Sequence, residues 1–108
     1  MSNWLYLFVA VIFEVIATSS LKSSKGFTNL IPSIIVVLGY AGAFYFLSLT
    51  LMSIPIGVAY AVWSGFGIVL ISLVGFFIFK QNLDLPAILG MSMIISGVLI
   101  VHIFSNSI

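Results

Sequence analysis

The sequence predicts an all-α integral membrane protein with four transmembrane helices per subunit. Three observations carry this. Of 108 residues, 63% are hydrophobic and 5% charged, with a mean hydropathy of +1.40. A soluble domain of this size buries too small a fraction of its surface to hide so much apolar area. The apolar residues fall into four runs, about 3–21, 31–52, 56–79 and 86–104. As helices these runs reach roughly 28–36 Å, enough to cross a hydrocarbon core of about 30 Å. Finally, four charged residues (Lys22, Lys25, Lys80 and Asp84) lie in the gaps between runs. The spans must be helical because lipid offers unpaired backbone groups no partner. Residues 1–108 are expected to form a single transmembrane domain.

The first span opens with Met-Ser-Asn-Trp, which lacks the basic segment of a secretory signal, and Glu14 interrupts the apolar stretch. It is therefore expected to be retained rather than cleaved. Lys22, Ser23, Ser24, Lys25 and Gly26 close it: glycine permits a C-terminal turn, and cations suit the negative helix end. Asn29 and Pro32 open the second span. Ser53 as N-cap with Pro55 as an early proline opens the third, and Asp84 with Pro86 repeats the device for the fourth. All three lysines fall in the first and third gaps, which share one side of the membrane. The positive-inside rule places that side in the cytoplasm, but three residues are a small bias.

Several function classes are excluded. There is no cysteine for a disulfide or thiolate site, and His102 alone cannot hold a metal. A net charge of +1 offers no electrostatic footprint for nucleic acid. No phosphate loop or Ser/His/Asp set is present, so neither an enzyme nor a bound cofactor is expected.

What remains is Glu14, the one Asp, Glu, Lys or Arg well inside a span. Lipid burial penalises its charged form, so it is stable with a proton or a cation bound and unstable with neither. An intramembrane acid is a functional-site hypothesis by default. Leu7, Ala10, Ala17, Thr18 and Leu21 share its helix face, and the small ones among them admit either a ligand or a packed helix. The bland alternative is a protonated acid that only joins two helices.

Aromatic stripes accompany the acid. Tyr40, Ala43, Phe44 and Leu47 follow helical spacing on the second span, and Tyr60, Trp63, Ser64 and Gly67 on the third. Aromatic faces at bilayer depth attract organic cations, more strongly once desolvated. Gly65 and Gly67 flank Phe66 and allow either close packing or bending. Gly90 and Gly97, seven apart, form a helix-contact face on the fourth span. Four helices enclose little solvated space, and transporters commonly build their site between two repeats. A homodimer supplying Glu14 twice is therefore expected, with the two acids taking up protons as a coupled pair.

The runs Glu14-Val-Ile-Ala-Thr-Ser-Ser-Leu-Lys22, Gly26-Phe-Thr28 and Pro32-Ser33, the segment Pro55-Ile-Gly-Val-Ala-Tyr-Ala-Val-Trp-Ser-Gly-Phe-Gly67, and Leu83-Asp-Leu-Pro-Ala87 with Gly90 resemble the small multidrug resistance family over essentially the whole chain. The resemblance implies a proton-coupled exporter of lipophilic and quaternary ammonium cations in the bacterial inner membrane, built as an antiparallel, dual-topology homodimer. It implies that Glu14 binds proton and substrate, that Tyr60 and Trp63 line the pocket, and that Tyr40, Phe44, Leu47, Trp4 and Ala10 match other pocket positions. It further implies that α-helical bending occurs at Gly65 and Gly67 and that the segment from Gly90 to Val98 is the dimer contact. Guanidinium exporters of the family typically carry Trp where this chain has Ala17, which favours the quaternary-ammonium subtype. Trp4 stands where Tyr is usual, Ala43 where Ser is frequent, and Asn82 where a basic residue is common. Alternatives are a guanidinium or polyamine exporter of the same fold, and a non-transporting membrane assembly subunit.

Overall fold

The computed structural model describes residues 3–104. Its helices are α1 (Asn3–Ser23), α2 (Leu30–Thr50), α3 (Ile56–Phe77) and α4 (Leu85–Phe104). All four are long and apolar enough to cross a membrane. No strand occurs among the described residues, so the fold class is the one the hydropathy pattern predicts. The chain divides after Ser53 into two compact units, α1 with α2 and α3 with α4.

In the first unit, α1 ends because three successive residues leave the helical region. Lys25, Gly26 and Phe27 have φ of 48°, 71° and 65°, a conformation only glycine adopts without steric cost. Ser24 offsets that cost. Fully buried, it donates through Oγ to the Leu21 carbonyl at 2.7 Å and accepts the Phe27 N–H at 3.2 Å. Its own carbonyl accepts the N–H groups of Thr28 and Asn29 at 2.9 and 3.1 Å. Asn29 is the N-cap of α2 but makes no side-chain cap bond; its amide donates instead to the Ser23 carbonyl at 2.9 Å, tying the two helix ends together.

Small residues let α1 and α2 approach. A Cβ added at Gly39 would stand 2.8 Å from the Ala17 Cβ and 3.2 Å from the Phe13 carbonyl oxygen, and one at Gly42 2.8 Å from the Phe13 ring. Phe13 stacks on Phe46 with centroids 5.7 Å apart, and Tyr6 stacks on the same ring at 6.2 Å. In lipid, where helices gain no hydrophobic drive to associate, close backbone approach and interhelical hydrogen bonds hold such a pair.

In the second unit, the cap expected at Ser53 is corrected. Ser53 stays in the preceding turn, its N–H on the Thr50 carbonyl at 3.3 Å. The N-cap is Pro55, without a side-chain cap bond, and its carbonyl accepts the Ala59 N–H at 2.9 Å. Proline suits a helix start because its φ is preset and it has no N–H to satisfy. At the other end α3 stops at Phe77, short of Phe79. The chain then reverses at Lys80, with φ of 59°, and the Gln81 N–H returns to the Gly75 carbonyl at 2.9 Å. Gly75 makes room for that return, since a Cβ there would lie 3.1 Å from Gln81 Oε1. Asp84 caps α4 as its position suggests, accepting the Ala87 N–H at 3.0 Å. The helices α3 and α4 come close at Gly65, where a Cβ would fall 2.6 Å from Val98 Cγ2. Ser72 donates to the Met91 sulfur at 3.6 Å, yet none of the described residues of α4 is buried.

Candidate cation and proton site

Glu14 lies in the middle of α1, half-buried, and is the only acidic residue in the four helices. One turn later Thr18 donates its hydroxyl hydrogen to Glu14 Oε1 at 2.7 Å. The same hydroxyl lies 2.7 Å from the Tyr40 hydroxyl on α2. A carboxylate, a threonine and a tyrosine therefore form one continuous polar chain across the α1–α2 seam. Helical spacing of four brings Glu14 and Thr18 together, whereas only the close packing at Gly39 carries Tyr40 within reach. A carboxylate held by one hydroxyl retains unused acceptor capacity on both oxygens, so it can still take a proton or face a cation.

Around this chain, Tyr40 stacks on Phe44 with centroids 6.2 Å apart and planes 21° apart. Phe44 is 60% exposed, while Leu47 and Trp4 are half-buried. Of the two possibilities for the small residues beside the acid, a ligand or a packed helix, the structure has the helix at Ala17. Ala10 and Ala17 are fully buried, and Ala17 meets the backbone edge of Gly39. On that side a helix, not a void, takes up the space left by the small residue.

The second unit carries the other candidates on α3. Tyr60 is 68% exposed, and Trp63 and Ser64 are half-buried. Gly65 and Gly67 are both buried within an unbroken helix, and Gly65 serves the approach of α3 to Val98. Gly90 and Gly97 on α4 are exposed, and an added Cβ at either would meet nothing within 4 Å. An apolar crevice of about 170 Å³ between α3 and α4 is lined by Phe66, Ile95, Leu99 and His102. Among the described residues no group of three or more His, Cys, Asp or Glu is placed to hold a metal ion.

Reasoning from sequence found Glu14, Thr18 and Tyr40 separately but not the bond between the two hydroxyls. It also passed over Gly39 and Gly42. The signal for the seam was present as Gly39 and Ala43, two small residues four apart that are both buried, the spacing of close membrane-helix contacts.

The chain matches the family model described as Small Multidrug Resistance protein over residues 2–94. It is 55% identical over 106 residues to the quaternary ammonium compound-resistance protein QacF of Klebsiella aerogenes, covering 98% of this chain and 96% of that one. It is 53% identical over 107 residues to the quaternary ammonium compound-resistance protein QacE of Escherichia coli, covering 99% and 97%. Identity to the multidrug transporter EmrE of Escherichia coli strain K12 is 50% over 107 residues, again covering 99% and 97%. Proteins of this group are transporters rather than enzymes. With four membrane-crossing helices and relatives at this identity across nearly its full length, the chain belongs to the small multidrug resistance family of the bacterial inner membrane.

Proposed function

We propose that this protein is a proton-coupled antiporter that exports hydrophobic and quaternary ammonium cations, with Glu14 binding proton and substrate in competition. The observation that carries this reading is the solitary carboxylate at mid-span of α1, held by the Thr18 hydroxyl. The names of QacF, QacE and EmrE support the substrate class. Charge neutralisation explains the coupling. A proton and an organic cation each cancel the same negative charge, and simultaneous occupancy would leave a net positive charge in lipid, which is costly. Cation affinity therefore rises with pH as protons leave the carboxyl, and falls when protons return from the other side.

The remaining roles belong to the same proposal. Tyr40, Phe44, Leu47 and Trp4 on the first unit, and Tyr60, Trp63 and Ser64 on the second, are the substrate-contacting residues, and cation–π attraction from their rings adds to the carboxylate. Thr18 holds the acid, and Ala10 and Ala17 keep its surroundings small enough for the helices to close. The four helices act as one transmembrane domain, and two copies assemble as an antiparallel, dual-topology homodimer through the exposed Gly90–Gly97 face of α4. Gly65 and Gly67 are where α3 bends during alternating access. The similarity to QacF and QacE, rather than space beside Ala17, favours large lipophilic cations over guanidinium.

The test is proton release. Adding tetraphenylphosphonium to purified protein at a pH where the carboxyls are protonated should free protons from the wild type and none from Glu14→Gln. Equal release from both proteins would refute the assignment. Transport of guanidinium without tetraphenylphosphonium would instead favour the small-cation alternative.

A further inference from the structure

The three groups of the polar chain have unequal hydrogen inventories, and this gives the chain a direction. A hydroxyl has one hydrogen to donate, and an ionised carboxylate has none. Thr18 uses its hydrogen on Glu14 Oε1. It must then accept at its other contact, so the Tyr40 hydroxyl donates to Thr18 across their 2.7 Å contact. When Glu14 is protonated on that oxygen, the carboxyl hydrogen becomes the donor to Thr18, and Thr18 turns its own hydrogen toward the Tyr40 oxygen. No covalent bond changes beyond the protonation itself; two hydroxyls rotate.

We propose that Thr18 is the pivot of a reversible hydroxyl chain. Tyr40 donates toward Glu14 while the carboxylate is ionised and accepts when it is protonated. Tyr40 is thereby a positioning residue that reads the protonation state of Glu14 from a second helix. With the acid protonated, the Tyr40 hydroxyl hydrogen is free to turn away from Thr18, beside the Phe44 ring that Tyr40 stacks against. The proposal rests on Glu14 being the exchanging group.

The surroundings keep this signal local. The neighbours of Glu14 on α1 are apolar apart from Thr18, and the other ionisable groups of that helix, Tyr6 and Lys22, each lie eight residues away, about 12 Å along the axis. On α2, the helix packed against α1, no Asp, Glu, Lys, Arg or His is present. Its titratable groups are Tyr40 itself and Tyr45, whose ring sits edge-on to Phe46 at 5.4 Å.

The experiment follows the Tyr40 ring carbon that bears the hydroxyl, by NMR with labelled tyrosine in lipid, while pH is varied. The Tyr40→Phe protein identifies the signal among the four tyrosines. In the wild type this signal should move with the same midpoint as the loss of tetraphenylphosphonium binding. In Thr18→Val it should stop moving with pH, and tetraphenylphosphonium binding on the acid side of the transition should weaken by about tenfold, because the ionised acid has lost a hydrogen-bond donor. Thr18→Ser should restore both, which mere packing at this position would not require. A Tyr40 signal that is flat in the wild type, or that titrates unchanged in Thr18→Val, would overturn the relay. Proton release by tetraphenylphosphonium, measured on the same samples, tests the underlying reading separately. If it occurs while the Tyr40 signal fails, the antiport assignment stands and the relay falls. If it persists in Glu14→Gln, both fall.

Discussion

The two helix pairs of this protein are built differently although their compositions are alike. In α1–α2 the polar side chains point inward and meet: Glu14, Thr18 and Tyr40 form a chain within a seam closed by Gly39 and Ala17. In α3–α4 the contact is made by Gly65 against Val98 and by Ser72 with Met91. There α4 buries none of its described residues, and α3 leaves Tyr60 two-thirds exposed. Polar groups in lipid are expensive unless paired, so the pair that carries the charge must also supply its partners. The pair without a charge can leave Tyr60, Gly90 and Gly97 exposed.

The most severe way to break this contrast is to remove the charge. Glu14→Gln keeps the shape and a hydrogen-bond acceptor for Thr18, yet should reduce proton-driven efflux to background in liposomes. Active expulsion driven by a pH gradient in that variant would disprove the division of labour. Next comes the seam. Gly39→Ala places a methyl against the Cβ and Cα of Ala17 and the Phe13 carbonyl, rigid atoms at 2.8–3.2 Å. It should destabilise the protein by about 1–3 kcal/mol. Gly65→Ala places a methyl 2.6–3.0 Å from the stiff, β-branched Val98 side chain and should cost a similar amount. Reversible unfolding in mixed micelles would measure both, and no loss in Gly39→Ala would mean that the α1–α2 seam is not held by close approach.

Smaller effects sharpen the picture of the second pair. Trp63→Ala should weaken tetraphenylphosphonium by roughly 2–30-fold, the range of about 0.5–2 kcal/mol for a cation–π contact, and weaken tetramethylammonium less. Equal losses would remove the aromatic cage. The least effect is expected at the α4 cap. Asp84→Ala loses the bond to the Ala87 N–H and should cost about 1 kcal/mol, read as faster amide exchange confined to the first turn of α4.

Sequence alone was enough to set the membrane class, the four spans and the position of the acid, because hydropathy and charge are properties of short windows and lipid punishes exceptions. It also determined local devices such as the Asp84 cap and the turn at Gly26, where the interacting groups are neighbours in the chain. It placed the first residue of α3 at Ile56 but misassigned the N-cap, because Ser53 and Pro55 both look like openers and only the backbone path decides between them. Tertiary structure alone decided that Ala17 is closed off by Gly39 and that Tyr40, 22 residues from Thr18, shares its hydroxyl contact. Those facts depend on the rotation and separation of two helices. These follow from the summed packing of whole faces, and no local window of residues contains that sum.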